Sequence, residues 1–435
     1  MIGLATAGIV SLAYLALLFV IAWWAERRRR RGRSVVNNPI VYALSIGVYC
    51  TAWSYYGSVG LAAKSGPLFL AVYLGPSLMA FSWWIILRRI VRVSRDNNVS
   101  SIADFIAFRY GNNAHIGAIA ALLMLIGIVP YIGLQLKAIG YGFKIITGAS
   151  ETANYIADPE LAAALVLGVF GMFFGAGGSV TEKRREGLVA AVAAEGVVKL
   201  LALTAVGIYV TWGLYGGFGD IFSRMASDPE HANLLRLTHS EELFTPSWPA
   251  LLALSAMAVM LLPRQFHMMV VENADEKNID DATWMFPLYL FLMNLFVLPI
   301  AFAGILGTDS SVSADTYVLF LPLANGHSIL ALAAYIGGLA AATGMVLVSS
   351  VALSTIFINN IGMPIMLRIG WPKFHYPGLI SNLKRLTVMV FCVSGYLFLK
   401  ALGDGLPLPS LADSVGGEEH VPDQCPDVER CAGSG

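Results

Sequence analysis

The chain has 435 residues, of which 57% are hydrophobic and 13% charged, with a mean hydropathy of +0.68. A soluble domain carries about 25% charged residues, so this composition excludes a soluble globular protein and reads as an all-α polytopic membrane protein. Basic and acidic residues number 28 each, and the zero net charge points to no acidic or basic partner.

About ten segments approach the roughly 20 apolar residues that span a bilayer: 2–24, 40–62, 68–91, 115–143, 161–178, 187–212, 249–272, 284–306, 327–357 and 386–402. The first is followed, not preceded, by its basic residues, Arg27 to Arg31 and Arg33. That order reads as an uncleaved helix and not a signal peptide. The arginine cluster is a topology anchor with affinity for anionic lipid; nucleic acid is not indicated.

Basic residues then recur in alternate connections. Arg88, Arg89, Arg92, Arg95 and Arg109 follow the third segment, Lys183 to Arg185 the fifth, Lys277 the seventh, and Arg368, Lys373, Lys384 and Arg385 the ninth. The stretches 147–160 and 307–326 contain neither Lys nor Arg. Positive residues mark cytoplasmic loops, so the N-terminus is expected outside a bacterial inner membrane.

The second segment, ALSIGVYCTAWSYYGSVG (Ala43 to Gly60), carries Gly47 and Gly57, which permit close approach or local unwinding. Tyr49, Trp53 and Ser54 are candidate solute contacts there; the alternative is packing through small residues with aromatics toward lipid. Next, NNVSSIADFIAFRYG (Asn97 to Gly111) predicts a short helix, with a cap at Ser100 or Ser101, Asp104 in the first turn and Gly111 near the end. Gln135, after Pro130, is a candidate solute contact or an interhelical hydrogen-bonding residue.

Glu195 and Lys199 lie deep in the sixth segment at the i,i+4 spacing of a helical ion pair. They read as a lock between helices or as a coupling-ion relay. A short amphipathic helix is expected at Asn233 to Leu243, within the external connection 213–247. The seventh segment is interrupted by Pro263-Arg264-Gln265-Phe266-His267. Polar groups at membrane depth mark a functional pathway by default, and a helix broken at proline exposes backbone groups that can hold a solute or ion. Arg264 and His267 should share a face, with Gln265 directed elsewhere. His267 has the chemistry of a proton carrier.

Beyond Leu402 the composition turns to Pro, Gly and acidic residues, and 403–435 is expected to be a disordered tail. The four cysteines (Cys50, Cys392, Cys425 and Cys431) form no CxxC pair. No phosphate-binding loop, nucleophile elbow or HExxH helix occurs, so no enzyme is indicated.

Several of these motifs resemble those of the sodium:solute symporter superfamily. Ser101 to Gly111 resembles its cytoplasmic signature, an acidic residue followed by Arg-aromatic-Gly. Gln265-Phe266-His267 resembles the Gln-Pro-His of proline symporters, and Ala43 to Gly47 the start of their first core helix. LPRQFHMMVVEN (Leu262 to Asn273), FPLYLFLMNLFVLPIAFAG (Phe286 to Gly304) and GGLAAATGMVLVSSVALSTIFINN (Gly337 to Asn360) resemble, more narrowly, the transporter-like domain of CbrA-type bacterial sensor histidine kinases.

The resemblance covers 1–402 and implies an inverted-repeat, LeuT-type transporter fold with an extra N-terminal helix. The first repeat would be 40–212 and the second would open at 249. The last core helix is expected to be missing, as in a truncated or frame-shifted product. It further implies a sodium ion held by the carbonyls of Gly47 and Cys50 with Ala340, Thr343 and Gly344. Only Thr343 of the usual hydroxyl pair is present, so proton coupling through Glu195 and His267 is expected beside Na+. Glu195 takes the place of an acidic residue that serves the ion in sodium-coupled relatives.

The sequence therefore predicts symport of a small organic solute, such as an amino acid or carboxylate. The solute would sit against Tyr49, Trp53, Ser54, Gln135, Arg264, Gln265 and His267, with Na+ or H+ as coupling ion and no other cofactor. Two other readings stand beside it: a nutrient-sensing input domain for a downstream kinase module, and a non-functional fragment.

Overall fold

The structure is a computed structural model and describes residues 2–148, 158–175, 185–235, 247–308, 312–369 and 377–402. No strand occurs among the described residues. The described chain is all-α. Seven helices are long and apolar enough to cross a membrane, and an eighth span is the bent pair on either side of Leu262.

Helix α1 (Leu4–Arg30) packs along α9 and buries Ala7, Tyr14, Leu18 and Ala22. The next expected span is not one helix. Its first half, α2 (Pro39–Ile46), starts at Asn38, whose side chain accepts the Ile40 N–H, with Pro39 in the first turn where no N–H is missed. A 3₁₀ turn (Gly47–Tyr49) follows, Cys50 is extended (φ −77°, ψ 105°), and a π turn (Trp53–Gly57) leads into α3 (Ser58–Ser65). Gly66 (φ +55°) then packs so closely on the Leu234 carbonyl that no Cβ would fit.

Helices α4 (Ala71–Ala80) and α5 (Ile86–Asp96) follow, then the short α6 (Ile102–Arg109). Ser101 accepts the Asp104 N–H at 3.1 Å, as its capping role predicts, and Gly111 turns the chain at φ +73°. Helix α7 (Ala114–Thr147) is long and contains Pro130. Asp158 caps α8 (Pro159–Phe170), which continues through a π turn to Gly175, the last described residue of this stretch. Helix α9 (Glu186–Ile208) completes the first half.

The connection 213–247 carries an amphipathic helix, α10 (Phe218–Ser227), ahead of the stretch for which one was expected. Ile221 and Met225 supply its apolar face and bury against Phe302. Of the stretch expected to be helical, Ala232–Leu235 forms a 3₁₀ turn, and 236–246 lie outside the described residues.

The second half opens with α11 (Ser247–Leu261) and α12 (Pro263–Phe266), bent by 46° at Leu262. Proline cannot donate to the preceding turn and its ring crowds that turn's carbonyl. Helices α13 (Asn278–Asn294) and α14 (Val297–Gly307) follow. The connection 307–326, read from sequence as a plain loop, contains α15 (Tyr317–Ala324). Helix α16 (Ser328–Phe357) is the centre of the bundle: 94% of its most apolar stretch, in the run Ser328–Ile369, is buried. Helices α17 (Met363–Ile369) and α18 (Pro377–Leu402) end the described chain. The tail 403–435, with Cys425 and Cys431, lies outside the described residues, as do Lys183, Arg184 and Lys373.

The two halves correspond. Each opens on a broken helix, and the long helices α7 and α16 pack on each other. The polar end of the bundle is stitched together by Arg88 on Asp280, Arg92 on Glu276 (2.9 Å) and Arg95 on the side chain of Asn273 (2.7 Å). Asp104 clasps this end to the foot of α16. Its carboxylate accepts from Ser100 Oγ (2.8 Å), Asn359 Nδ2 (3.0 Å) and Asn360 Nδ2 (2.7 Å). Removing an acceptor from such donors costs about 1–3 kcal/mol. Asp104→Ala should therefore lower the thermal unfolding midpoint in detergent, and Asp104→Asn, which keeps one acceptor oxygen, should lower it less. An unchanged midpoint in the alanine variant would contradict the clasp.

Candidate solute and ion site

The break in the first core helix leaves backbone groups without helical partners in a water-poor interior, where each must be met by another group. Side chains from three other helices meet them. The Ala52 N–H donates to Gln135 Oε1 on α7 at 3.0 Å. The Ile46 carbonyl accepts from Gln265 Nε2 on α12 at 3.4 Å. Lys199 on α9 donates to the carbonyls of Gly47 (2.7 Å) and Cys50 (2.6 Å). Thr51 is tied to the Tyr131 hydroxyl at 2.9 Å. The two broken helices thus meet at mid-bundle, joined directly by Gln265.

Arg264 is 4% exposed, and its guanidinium carbon stands 5.3 Å above the Tyr131 ring. Its Nε has no hydrogen-bond partner among the described residues, and no described carboxylate lies within ion-pair distance of it. Gln265 Oε1 is likewise buried and unpartnered. A void of about 10 Å³, room for one water, is lined by Ala52, Trp53, Tyr56, Tyr131 and Gln135, and Tyr131 is the wall it shares with Arg264. Tyr49 closes the other side of the break, its ring edge-on to Phe286 and its hydroxyl donating to the Val72 carbonyl at 3.3 Å. Ser54 is buried near Cys50 and Tyr73, one helical turn from the break.

His267 belongs elsewhere. Its Nε2 stands 3.3 Å from Glu272 Oε1, and both residues are almost fully buried. Glu272 also accepts the Arg185 N–H at 2.9 Å, and Arg185 Nη1 lies 4.0 Å from it. Arg264 and His267 therefore do not serve one site as their spacing suggested. From His267 to Val271 the helix widens to a π turn, whose i→i+5 bond (Glu272 N–H to the His267 carbonyl) brings Glu272 next to His267.

The i,i+4 ion pair of Glu195 with Lys199 is not formed either. Each turns to a different neighbouring helix: Lys199 to the broken segment, and Glu195 Oε1 to Thr343 Oγ1 on α16 at 2.6 Å. Glu195 Oε2 has no hydrogen-bond partner and lies against Gly344, where a Cβ would collide with it. Tyr14 brings a buried hydroxyl from α1 to the same corner.

A sodium ion does not fit the residues expected to hold it. The Gly47 and Cys50 carbonyls are engaged by Lys199, Thr343 gives its hydroxyl to Glu195, and Gly344 offers no side-chain oxygen. The Ala340 carbonyl lies within α16 and also accepts from Thr343 Oγ1, at 3.4 Å. Sequence reasoning missed this occupation, and it missed Tyr131. The available signal was a lysine deep in an apolar helix combined with glycine in place of a hydroxyl residue at 344.

No family model matches the chain. It is 27% identical over 335 residues to YhjB, an uncharacterized symporter of Bacillus subtilis (strain 168); the match takes in 74% of this chain. The chain spans 62% of that relative's length. Among solved structures it is similar to a Na+-coupled sialic acid symporter in a substrate-bound outward-open state. The TM-score is 0.66, with 12% sequence identity, over 91% of this chain and 82% of the other. The chain has a symporter fold. That likeness, with the long apolar helices, makes it a multi-pass membrane protein.

Proposed function

We propose that the chain forms the membrane domain of a secondary transporter that takes up a small organic anion, an amino acid or another small carboxylate, driven by an ion gradient. The observation that carries this reading is Arg264, a guanidinium buried at the meeting point of two broken helices without an anionic partner. A buried charge of this kind is costly until it is paired, and a bidentate carboxylate is the natural complement of a guanidinium. The unpartnered Gln265 oxygen and the void beside Trp53 and Gln135 provide a polar handle and an apolar wall.

The similarity to a symporter supports transport as the activity. The basic ends at Arg88, Arg92 and Arg95 support a cytoplasmic polar face and an external N-terminus in a bacterial plasma membrane. Rocking of the helices around the fixed break would expose the site alternately to each side.

The test is uptake of radiolabelled amino acids and small carboxylates into proteoliposomes with imposed inward proton or sodium gradients. Accumulation of one class of anion, abolished when the gradients are collapsed by ionophores, is expected. Uptake of none of them, or uptake indifferent to both gradients, would contradict the proposal.

A further inference from the structure

We infer that Lys199 is a tethered cation in an oxygen cradle shaped for a metal ion, so that binding at the break needs no sodium. The observation is a pair of carbonyls closed on the Lys199 ammonium, with a Thr343–Glu195 hydrogen bond as their neighbour, beyond ion-pair distance of the ammonium. The carbonyls of Gly47 and Cys50 come from the broken segment, the Thr343 hydroxyl from α16, and the Glu195 carboxylate from α9. Carbonyl, hydroxyl and carboxylate oxygens are the ligands of a hard cation. Two of the four accept hydrogen bonds from a single amino group at 2.6–2.7 Å.

The neighbouring residues are consistent with a fixed occupant. Thr343 is turned toward Glu195, which holds the carboxylate beside the cradle. Gly344 leaves the room that Glu195 Oε2 fills, so the carboxylate stands where a second hydroxyl residue would crowd it. Lys199, Glu195 and Gly344 thus act as one exchange: a side-chain cation for a free one, and a carboxylate for a hydroxyl. The ammonium ties α9 to the unwound segment, linking two elements that must keep register if one bundle moves against another. A tethered cation cannot dissociate with the solute, so no sodium would leave this cradle in a transport cycle.

This inference rests on the transporter reading only for the role of the site. Its test requires no solute, so the two can fail separately. The probes are 22Na+ binding to the purified full chain and its thermal midpoint in sodium, potassium or choline chloride. The wild type should show no saturable 22Na+ binding and the same midpoint in all three salts. Lys199→Ala opens the cradle and should gain saturable 22Na+ binding, with a midpoint higher in sodium than in choline. Adding Thr343→Ala should weaken that acquired binding. Saturable binding to the wild type that is lost in Thr343→Ala would overturn the inference. So would a folded Lys199→Ala that ignores sodium. Should Lys199→Ala fail to fold in every salt, the wild-type measurement alone decides: sodium-indifference upholds the inference and saturable, Thr343-dependent binding rejects it.

Discussion

Glu272→Ala is expected to destabilise the protein by about 1–3 kcal/mol, the cost of leaving a donor in the interior without its acceptor. Glu272 is 2% exposed and is the only described carboxylate within ion-pair distance of His267 or Arg185. It also accepts the Arg185 N–H, at the first described residue before α9. One side chain therefore anchors the end of the second broken helix to the start of the helix that carries Glu195 and Lys199. Alanine would leave the Arg185 N–H without its acceptor and the neighbouring guanidinium and imidazole without a carboxylate. Glu272→Gln keeps an oxygen for the N–H and removes the charge, so it should lose less. Thermal unfolding in detergent, read by retention of the monodisperse peak, is the appropriate measurement. An alanine variant as stable as the wild type would show that the cluster holds nothing together.

Much of this architecture was legible in the sequence because it depends on local chemistry. Proline at 263 breaks a helix wherever it falls within one, and the 46° bend is there. Ser101 with Asp104 and Gly111 with its positive φ follow capping and turn rules that need only a few residues. The described parts of the apolar segments are largely helical, but 40–62 and 249–272 are broken, and seven helices with one bent pair reach spanning length where ten were expected. The spacing of α10 and α15 was less visible, because short helices packed on a bundle end take their partners from distant sequence, as Ile221 and Met225 do from Phe302.

The site was legible as a neighbourhood and not as a set of bonds. Gly47 to Cys50, Arg264 and Gln265 do converge, but partner choice is a tertiary property. Two i,i+4 or i,i+3 arguments failed for that reason. Lys199 finds better acceptors across the bundle than Glu195, since broken-helix carbonyls are unsatisfied without it. His267 enters a π turn, whose i→i+5 bonding no short motif announces, and so reaches Glu272.

Arg264→Gln is expected to weaken the transported anion by at least about 30-fold, because truncating one member of a buried charge pair costs about 2 kcal/mol or more and each 1.4 kcal/mol is tenfold. Glutamine retains a donor and most of the volume over Tyr131, so the loss reports charge and not collapse of the pocket. The fold should survive, since the guanidinium has no protein carboxylate to leave behind. The same substitution also removes discrimination. The wild type should strongly prefer a carboxylate to its neutral amide, whereas the variant keeps only the Lys199 ammonium, already committed to the Gly47 and Cys50 carbonyls, to tell them apart. Competition of the transported carboxylate and its amide against labelled uptake, in wild type and Arg264→Gln proteoliposomes, is the most direct test of solute binding at the broken helix. A wild-type preference for the carboxylate that falls at least about tenfold in the variant is the predicted result; an identical preference in both proteins would contradict it.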